Sequence, residues 1–353
     1  MNFVSIKRVK RLLADFEGDA VIISESKNRY YYSGFTGTEA TLLLTSDESY
    51  IFTDSRYHIQ AKEQAEDFTL VDSAKNSVAD FINEKKLAHV GFEEETTSVR
   101  AYNSLTKKLE KCTVEGINQL IKNQRKIKDE QEIEYIKKAA EIADSAFLYI
   151  LDEIKPEKTE KELALMLEFY MRKNGADGLS FDTIFASGLR SAMPHGVASD
   201  KKIEKGDLVT IDFGCTYKGY CSDMTRTIAV GSISDERRKI YEIVLKAQLA
   251  AKDAIRQGAL ASEIDSIARG IISEAGYGKN FGHGLGHSLG LDIHEFPSLS
   301  PKSEETLASG MLITDEPGIY VEGLGGVRIE DLLLVTDDGC DNLTSSPKEL
   351  IIL

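Results

Sequence analysis

The chain has 353 residues, of which 42% are hydrophobic and 29% charged, the balance of a soluble globular protein long enough for two domains. Its 43 basic and 58 acidic residues leave a formal net charge of −15, which repels a phosphate backbone and argues against nucleic acid as a partner. No apolar run is long enough to span a bilayer, and MNFVSIKRVKRLLADF is interrupted by Lys7, Arg8, Lys10 and Arg11, so no membrane segment or secretory leader is expected and the cytoplasm is the expected location.

In the first third, Ala20–Ser24, Ala40–Thr45, Ser49–Thr53 and His89–Phe92 read as short strands among helical patterns, which predicts an α/β domain over residues 1–122. A charged stretch, Lys122–Glu134, separates it from a second domain over residues 123–353. There Asp129 with Glu132 and Thr159 with Glu162 have capping-box spacing, and Gly175 can end the second helix. Ser234 opens a third helix running to Gly258, and Ser262 a fourth ending near Gly276. Each helix pair is followed by strand-like sequence, Leu208–Val230 and Met311–Val335, so two similar halves are expected. Cys112, Cys215, Cys221 and Cys340 are too few and scattered for a disulfide framework or a zinc knuckle and read as reduced thiols.

The chemistry gathers in the second domain. LVTIDFGCTYKGYCSDMTRTIAV reads as a hairpin turning near Tyr217–Gly219. A turn centred between Tyr217 and Lys218 would set Asp212 directly opposite Asp223, a pair of carboxylates that repel unless a cation lies between them. Glu316 in ITDEPGIY and Glu330 in GGVRIEDLLLV lie within apolar strand-like sequence, where an unpaired charge is costly to bury. His287 lies in the glycine-rich NFGHGLGHSLGLDIHEFP, where backbone can crowd near a site. Four carboxylates and one imidazole suit two hard or borderline divalent cations, and their charges offset. His195, His283 and His294 also stand beside Gly, Pro or an acid, whereas His58 and His89 read as surface or structural.

With these residues in hand, the sequence resembles the metal-dependent pita-bread peptidase family, M24, in its proline-cleaving branch of prolidases and aminopeptidase P. IDFG, SDMTRT, GHGLGH, EPGIY and GGVRIED are close to the family motifs, and the Asp-Asp-His-Glu-Glu ligand order falls on Asp212, Asp223, His287, Glu316 and Glu330. The stretches YYYSGFTGTEATLLLT and YIFTDSRYHIQA resemble the creatinase-type domain that precedes the catalytic domain in that branch. The resemblance implies an α/β creatinase-like domain and an α+β pita-bread domain with pseudo-two-fold halves and a curved antiparallel sheet. It further implies hydrolysis of the Xaa-Pro bond, most readily as an Xaa-Pro dipeptidase, with an Xaa-Pro aminopeptidase acting on longer peptides as the alternative.

By the same resemblance His195 contacts substrate, His283 and His294 flank the reacting carbonyl, and Phe181 and Ile184 line a proline pocket; Glu316, as a metal ligand beside the attacking water, is the expected catalytic proton acceptor. Arg328, two positions before Glu330 and so on the same strand face, either meets a substrate carboxylate or pairs with a neighbouring ligand. Two divalent ions are expected, Mn²⁺ first with Co²⁺ and Zn²⁺ open, and a homodimer is implied. A methionine aminopeptidase is disfavoured by the first domain, and a creatinase-like metal-free hydrolase or a non-catalytic peptide-binding relative by the unsubstituted ligand positions.

Overall fold

The computed structural model describes residues 3–353 and divides the chain into two compact units, Met1–Arg125 and Lys126–Leu353. The first carries helices α1 (Phe3–Asp15), α2 (Ser26–Ser33), α3 (His58–Gln64), α4 (Val78–Lys85), α5 (Val99–Thr106) and α6 (Asn118–Arg125). Its strands are β1 (Ala20–Ile23), β2 (Thr41–Thr45), β3 (Ser49–Thr53), β4 (Thr69–Asp72), β5 (His89–Phe92) and β6 (Thr113–Gly116), in one mixed sheet ordered β4-β3-β2-β1-β5-β6. β1 is parallel to β5 and antiparallel to β2. Helix α6 starts before the charged stretch and belongs to this unit because Ile121 and Gln124 are buried in it, Gln124 Oε1 accepting from the Tyr32 hydroxyl at 2.7 Å. His89 is bonded to Glu115 and His58 lies against the Thr53 carbonyl.

The second unit begins with α7 (Glu130–Glu153) and α8 (Glu160–Lys173), both opened by the expected capping boxes. Strands β7 (Gly178–Leu179), β8 (Ile184–Ser187), β9 (Leu208–Phe213), β10 (Cys215–Tyr217), β11 (Tyr220–Cys221) and β12 (Met224–Ala229) follow. Then come α9 (Asp235–Ala254) and α10 (Ala261–Glu274), and after them β13 (Gly286–Ser288), β14 (Glu295–Leu299), β15 (Leu312–Asp315), β16 (Gly318–Val321), β17 (Gly325–Arg328), β18 (Asp331–Val335) and β19 (Cys340–Asn342). Ser234 caps α9, which ends at Ala254, four residues short of Gly258. Ser262 does not cap α10. The helix starts one residue earlier, and the Ala261 amide is satisfied by the Glu305 carbonyl rather than by a side chain.

Every pairing between named strands of this unit is antiparallel. The two halves have separate cores. Ala143, Phe147, Leu163 and Leu167 of the first helix pair pack on Ile211, Phe213 and Ile228. Val244, Ala247, Ile264 and Ala268 of the second pack on Ile313, Val327 and Leu333. Between the halves the Glu330 amide donates to the Thr225 carbonyl at 3.1 Å, and the Arg328 amide to Thr227 Oγ1 at 3.2 Å. Strand ends from both halves therefore meet at one place. None of the four cysteines forms a disulfide, and no helix among the described residues is long and apolar enough to cross a membrane.

Candidate metal centre

The hairpin of the first half turns one position later than the spacing predicted. Tyr217 pairs with Tyr220, leaving Lys218 and Gly219 as a two-residue loop with φ of 51° and 78°. Both values are positive, as a type I′ turn requires, and the Lys-Gly pair supplies a glycine for the second. The same register sets Asp212 opposite Thr225, not Asp223. Asp223, two residues before Thr225, is instead the diagonal neighbour of Asp212 on the same face, which leaves more room between the carboxylates than direct opposition would. In the second half His287 lies on β13, Glu316 directly follows β15 and Glu330 directly precedes β18.

Asp223, His287 and Glu330 each offer a ligand atom within 4.8 Å of the others. His287 Nε2 lies 3.6 Å from Asp223 Oδ2 and 3.3 Å from Glu316 Oε1. Its Nδ1 sits 3.1 Å from the Ser288 carbonyl, which can only accept, so Nδ1 carries the proton and Nε2 presents its lone pair to the acids. Glu330 Oε2 accepts from Thr225 Oγ1 at 2.7 Å and Glu316 Oε1 from Thr314 Oγ1 at 3.1 Å. Three oxygens of the set, Asp212 Oδ1, Asp223 Oδ1 and Glu330 Oε1, are buried with no hydrogen-bond partner.

Burial, and then the charges of Glu330 and Asp212, push the Asp223 carboxyl far above the usual range, and burial followed by Glu316 and Asp212 does the same to Glu330. Burial raises Glu316 to about 7. Acids this crowded must take up protons or share cations. Orphaned buried oxygens beside an imidazole lone pair are the donor set that oxygen-preferring and borderline divalent cations take, so the residues present fit the metals the sequence implied.

All of the predicted site residues line one cavity of about 810 Å³: the five ligand candidates, His195, His283, His294, Phe181, Ile184 and Arg328. Arg328 is committed within it. It forms an ion pair with Asp212, donates Nη1 to the Tyr320 hydroxyl at 2.7 Å and to the Pro194 carbonyl at 3.2 Å, and donates Nε to Thr225 Oγ1 at 3.1 Å. His283 is neutral, its pKa lowered to about 4 mainly by burial. Its Nδ1 donates to the Gly284 carbonyl at 2.7 Å, so Nε2 accepts from the Tyr320 hydroxyl at 3.0 Å. The His294 ring stands edge-on to His287 with centroids 4.5 Å apart, and burial lowers its pKa too.

Three supporting side chains went unnoticed in the sequence: Thr225, Thr314 and Tyr320. The threonines were within reach, because each lies two positions from a ligand, as Arg328 does, and residues two apart on a strand share a face. Tyr320 is reached only through the β16–β17 hairpin, whose pairing of Gly318 with Arg328 brings that strand back to the site.

The fold and this cluster define a metallopeptidase. The description Metallopeptidase family M24 matches residues 134–337, and Creatinase/Prolidase N-terminal domain matches residues 6–127; the chain belongs to metallopeptidase family M24. Among its relatives, the Xaa-Pro dipeptidase of Pyrococcus horikoshii is 43% identical over 354 residues, covering 98% of both chains. The solved structure of the Xaa-Pro dipeptidase from Bacillus anthracis superposes with a TM-score of 0.96 at 45% identity, covering 99% of this chain and 100% of that one. The X-Pro aminopeptidase from Thermotoga maritima superposes with a TM-score of 0.92 at 40% identity, covering 97% and 100%.

Proposed function

We propose that the chain is an Xaa-Pro dipeptidase dependent on two divalent metal ions held by Asp212, Asp223, His287, Glu316 and Glu330. The observation that carries the reading is the cluster itself: Asp223, His287 and Glu330 offer ligand atoms within 4.8 Å of one another, His287 Nε2 faces Asp223 and Glu316, and Asp212, Asp223 and Glu330 each keep a buried oxygen with no hydrogen-bond partner. The full-length likeness to Xaa-Pro dipeptidases supports the substrate class. Mn²⁺ is the metal that a carboxylate-rich site favours, with Co²⁺ and Zn²⁺ next. A homodimer and a cytoplasmic location complete the proposal.

Bound there, a pair of divalent cations supplies Lewis acidity and lowers the pKa of water towards neutrality. Glu316 accepts the proton of the attacking water and delivers it to the proline nitrogen as the bond breaks; a tertiary amide nitrogen leaves only when protonated. His294, neutral and facing the cavity, donates to the developing oxyanion. His283 and Tyr320 act as one unit that orients the substrate, since the histidine accepts from the tyrosine and Arg328 donates to the same hydroxyl. His195 contacts the substrate, and Phe181 and Ile184 give the proline ring an apolar wall.

The aminopeptidase reading has an observation of its own. Arg328 is occupied by Asp212, Tyr320 and Pro194, which weakens it as the cation for a dipeptide's carboxylate, and the cavity is of a size that takes ligands larger than a dipeptide. Comparing kcat/KM for Ala-Pro and Ala-Pro-Ala with one metal tests the choice. A preference for Ala-Pro supports the dipeptidase. A preference for the tripeptide reassigns the chain to Xaa-Pro aminopeptidase.

A further inference from the structure

His195 reaches the cavity from the segment between β8 and β9, and its placement needs an explanation. The side chain is exposed, and among the described residues its ring makes no hydrogen bond, so the backbone on either side must hold it. Both ends of that backbone are tied to one carboxylate. Glu160, the first residue of α8, is fully buried and accepts five hydrogen bonds from this segment. Its Oε1 takes the Ser187 amide and the Ser187 hydroxyl, both at 2.7 Å, and its Oε2 takes the Ser199 amide at 3.0 Å, the Ser199 hydroxyl at 2.6 Å and Arg190 Nε at 3.0 Å.

Ser187 ends β8, and Ser199 follows His195 by four residues. One carboxylate therefore ties both stems of the segment that carries the histidine. Arg190 spans the interior, donating Nη2 to the Val197 carbonyl at 2.7 Å, and Arg328 Nη1 donates to the Pro194 carbonyl next to His195. Leu189, Met193 and Val197 are more than half exposed, so apolar packing contributes little at these positions. Polar contacts hold the loop instead: the Glu160 carboxylate at both stems, with the Gly326 amide on Ser191 Oγ at 2.8 Å and Arg328 on Pro194 between them. A buried carboxylate with every lone pair used is also a rigid anchor, since losing any one donor leaves charge unsolvated.

We propose that Glu160 is a positioning residue for Xaa-Pro hydrolysis, acting through His195 by clamping both stems of residues 187–199. The proposal rests on the role given to His195 above. Glu160→Gln keeps the shape but turns one acceptor into a donor facing donors, so the stems separate while the metal ligands stay in place.

The test is a double-mutant cycle on the metal-loaded enzyme with Ala-Pro as substrate. Glu160→Gln lowers kcat/KM by about tenfold or more with metal content unchanged, and in a His195→Ala background the same change has less than about a twofold further effect. A merely structural glutamate would scale both backgrounds alike, so independent, multiplying effects overturn the proposal, as does parental activity in Glu160→Gln. Should that variant fail to fold, Ser199→Ala removes a single bond to the clamp, and the same cycle with it decides. Tryptic cleavage after Arg190 reads the clamp without any substrate: it accelerates in Glu160→Gln, and an unchanged rate refutes the anchor. A parent protein without Xaa-Pro activity would overturn the catalytic half together with the reading it rests on, while the cleavage rate still judges the clamp by itself.

Discussion

Lys128 offers a prediction whose size follows directly from its surroundings. Its side chain is 1% exposed, just ahead of α7, and its ammonium donates to Ser288 Oγ at 3.0 Å and to Glu295 Oε2 at 3.3 Å, the glutamate being 7% exposed. Those two partners adjoin His287 and His294 on the β13–β14 hairpin. Lys128→Met fills the space but strips a buried carboxylate of its cation, which costs about 3–5 kcal/mol. In a unit the size of Lys126–Leu353, each kcal/mol moves Tm by about 2–4 °C, so the expected fall is roughly 6–20 °C. Scanning calorimetry of the metal-loaded protein measures it. Lys128→Met with Glu295→Leu removes both charges and should recover most of the loss, because the penalty lies in a buried charge left without its counter-ion rather than in the missing attraction. A single variant within about 2 °C of the parent, or a double variant no better than the single, would refute the reasoning.

Three further outcomes are expected. Asp223→Ala loses metal and activity together, whereas His294→Ala keeps its metal and loses about 10²-fold or more in kcat, so metal analysis of both variants separates ligand from catalyst. Chelation lowers Tm as well as activity, since the buried acids are left to repel or to protonate; a thermal scan before and after dialysis against chelator reads it. Stability also falls in acid because His283 is held neutral. Its pKa drops from 6.5 to about 4 on folding, so this contribution is whole above pH 6.5, declines as pH falls towards 4 and amounts to about 3 kcal/mol; His283→Gln should flatten that part of the Tm profile between pH 7 and 4.5, and an unchanged slope would contradict it.

What the sequence made legible were charges in the wrong company. Asp212 stands inside the fully buried β9, and Glu316 and Glu330 directly adjoin the buried strands β15 and β18; a charge in such a place announces a partner. Strands with a buried run, such as β2 and β3, were readable for the same reason, while β4 and β6 sit at the sheet edges, bury at most one residue each, and leave no long apolar run to notice. The register of Asp212 against Asp223 depended on a turn shifted by one position, which spacing alone does not fix when Tyr217, Lys218 and Gly219 all lie at the bend. Lys128 and Glu160 were invisible for the opposite reason to Glu316. Each lies in a charged stretch at a helix start, where a charge ordinarily meets water, and only the folded chain reveals that both are buried and paired.

The central claim is that these five side chains hold metal which the hydrolysis of Xaa-Pro requires. It is tested most directly by titrating Mn²⁺ into verified metal-free protein while following Ala-Pro cleavage and bound metal together. The account predicts no turnover without metal and full activity when two ions per chain are bound, with both signals lost in Asp223→Ala. Full activity in the metal-free protein would contradict it.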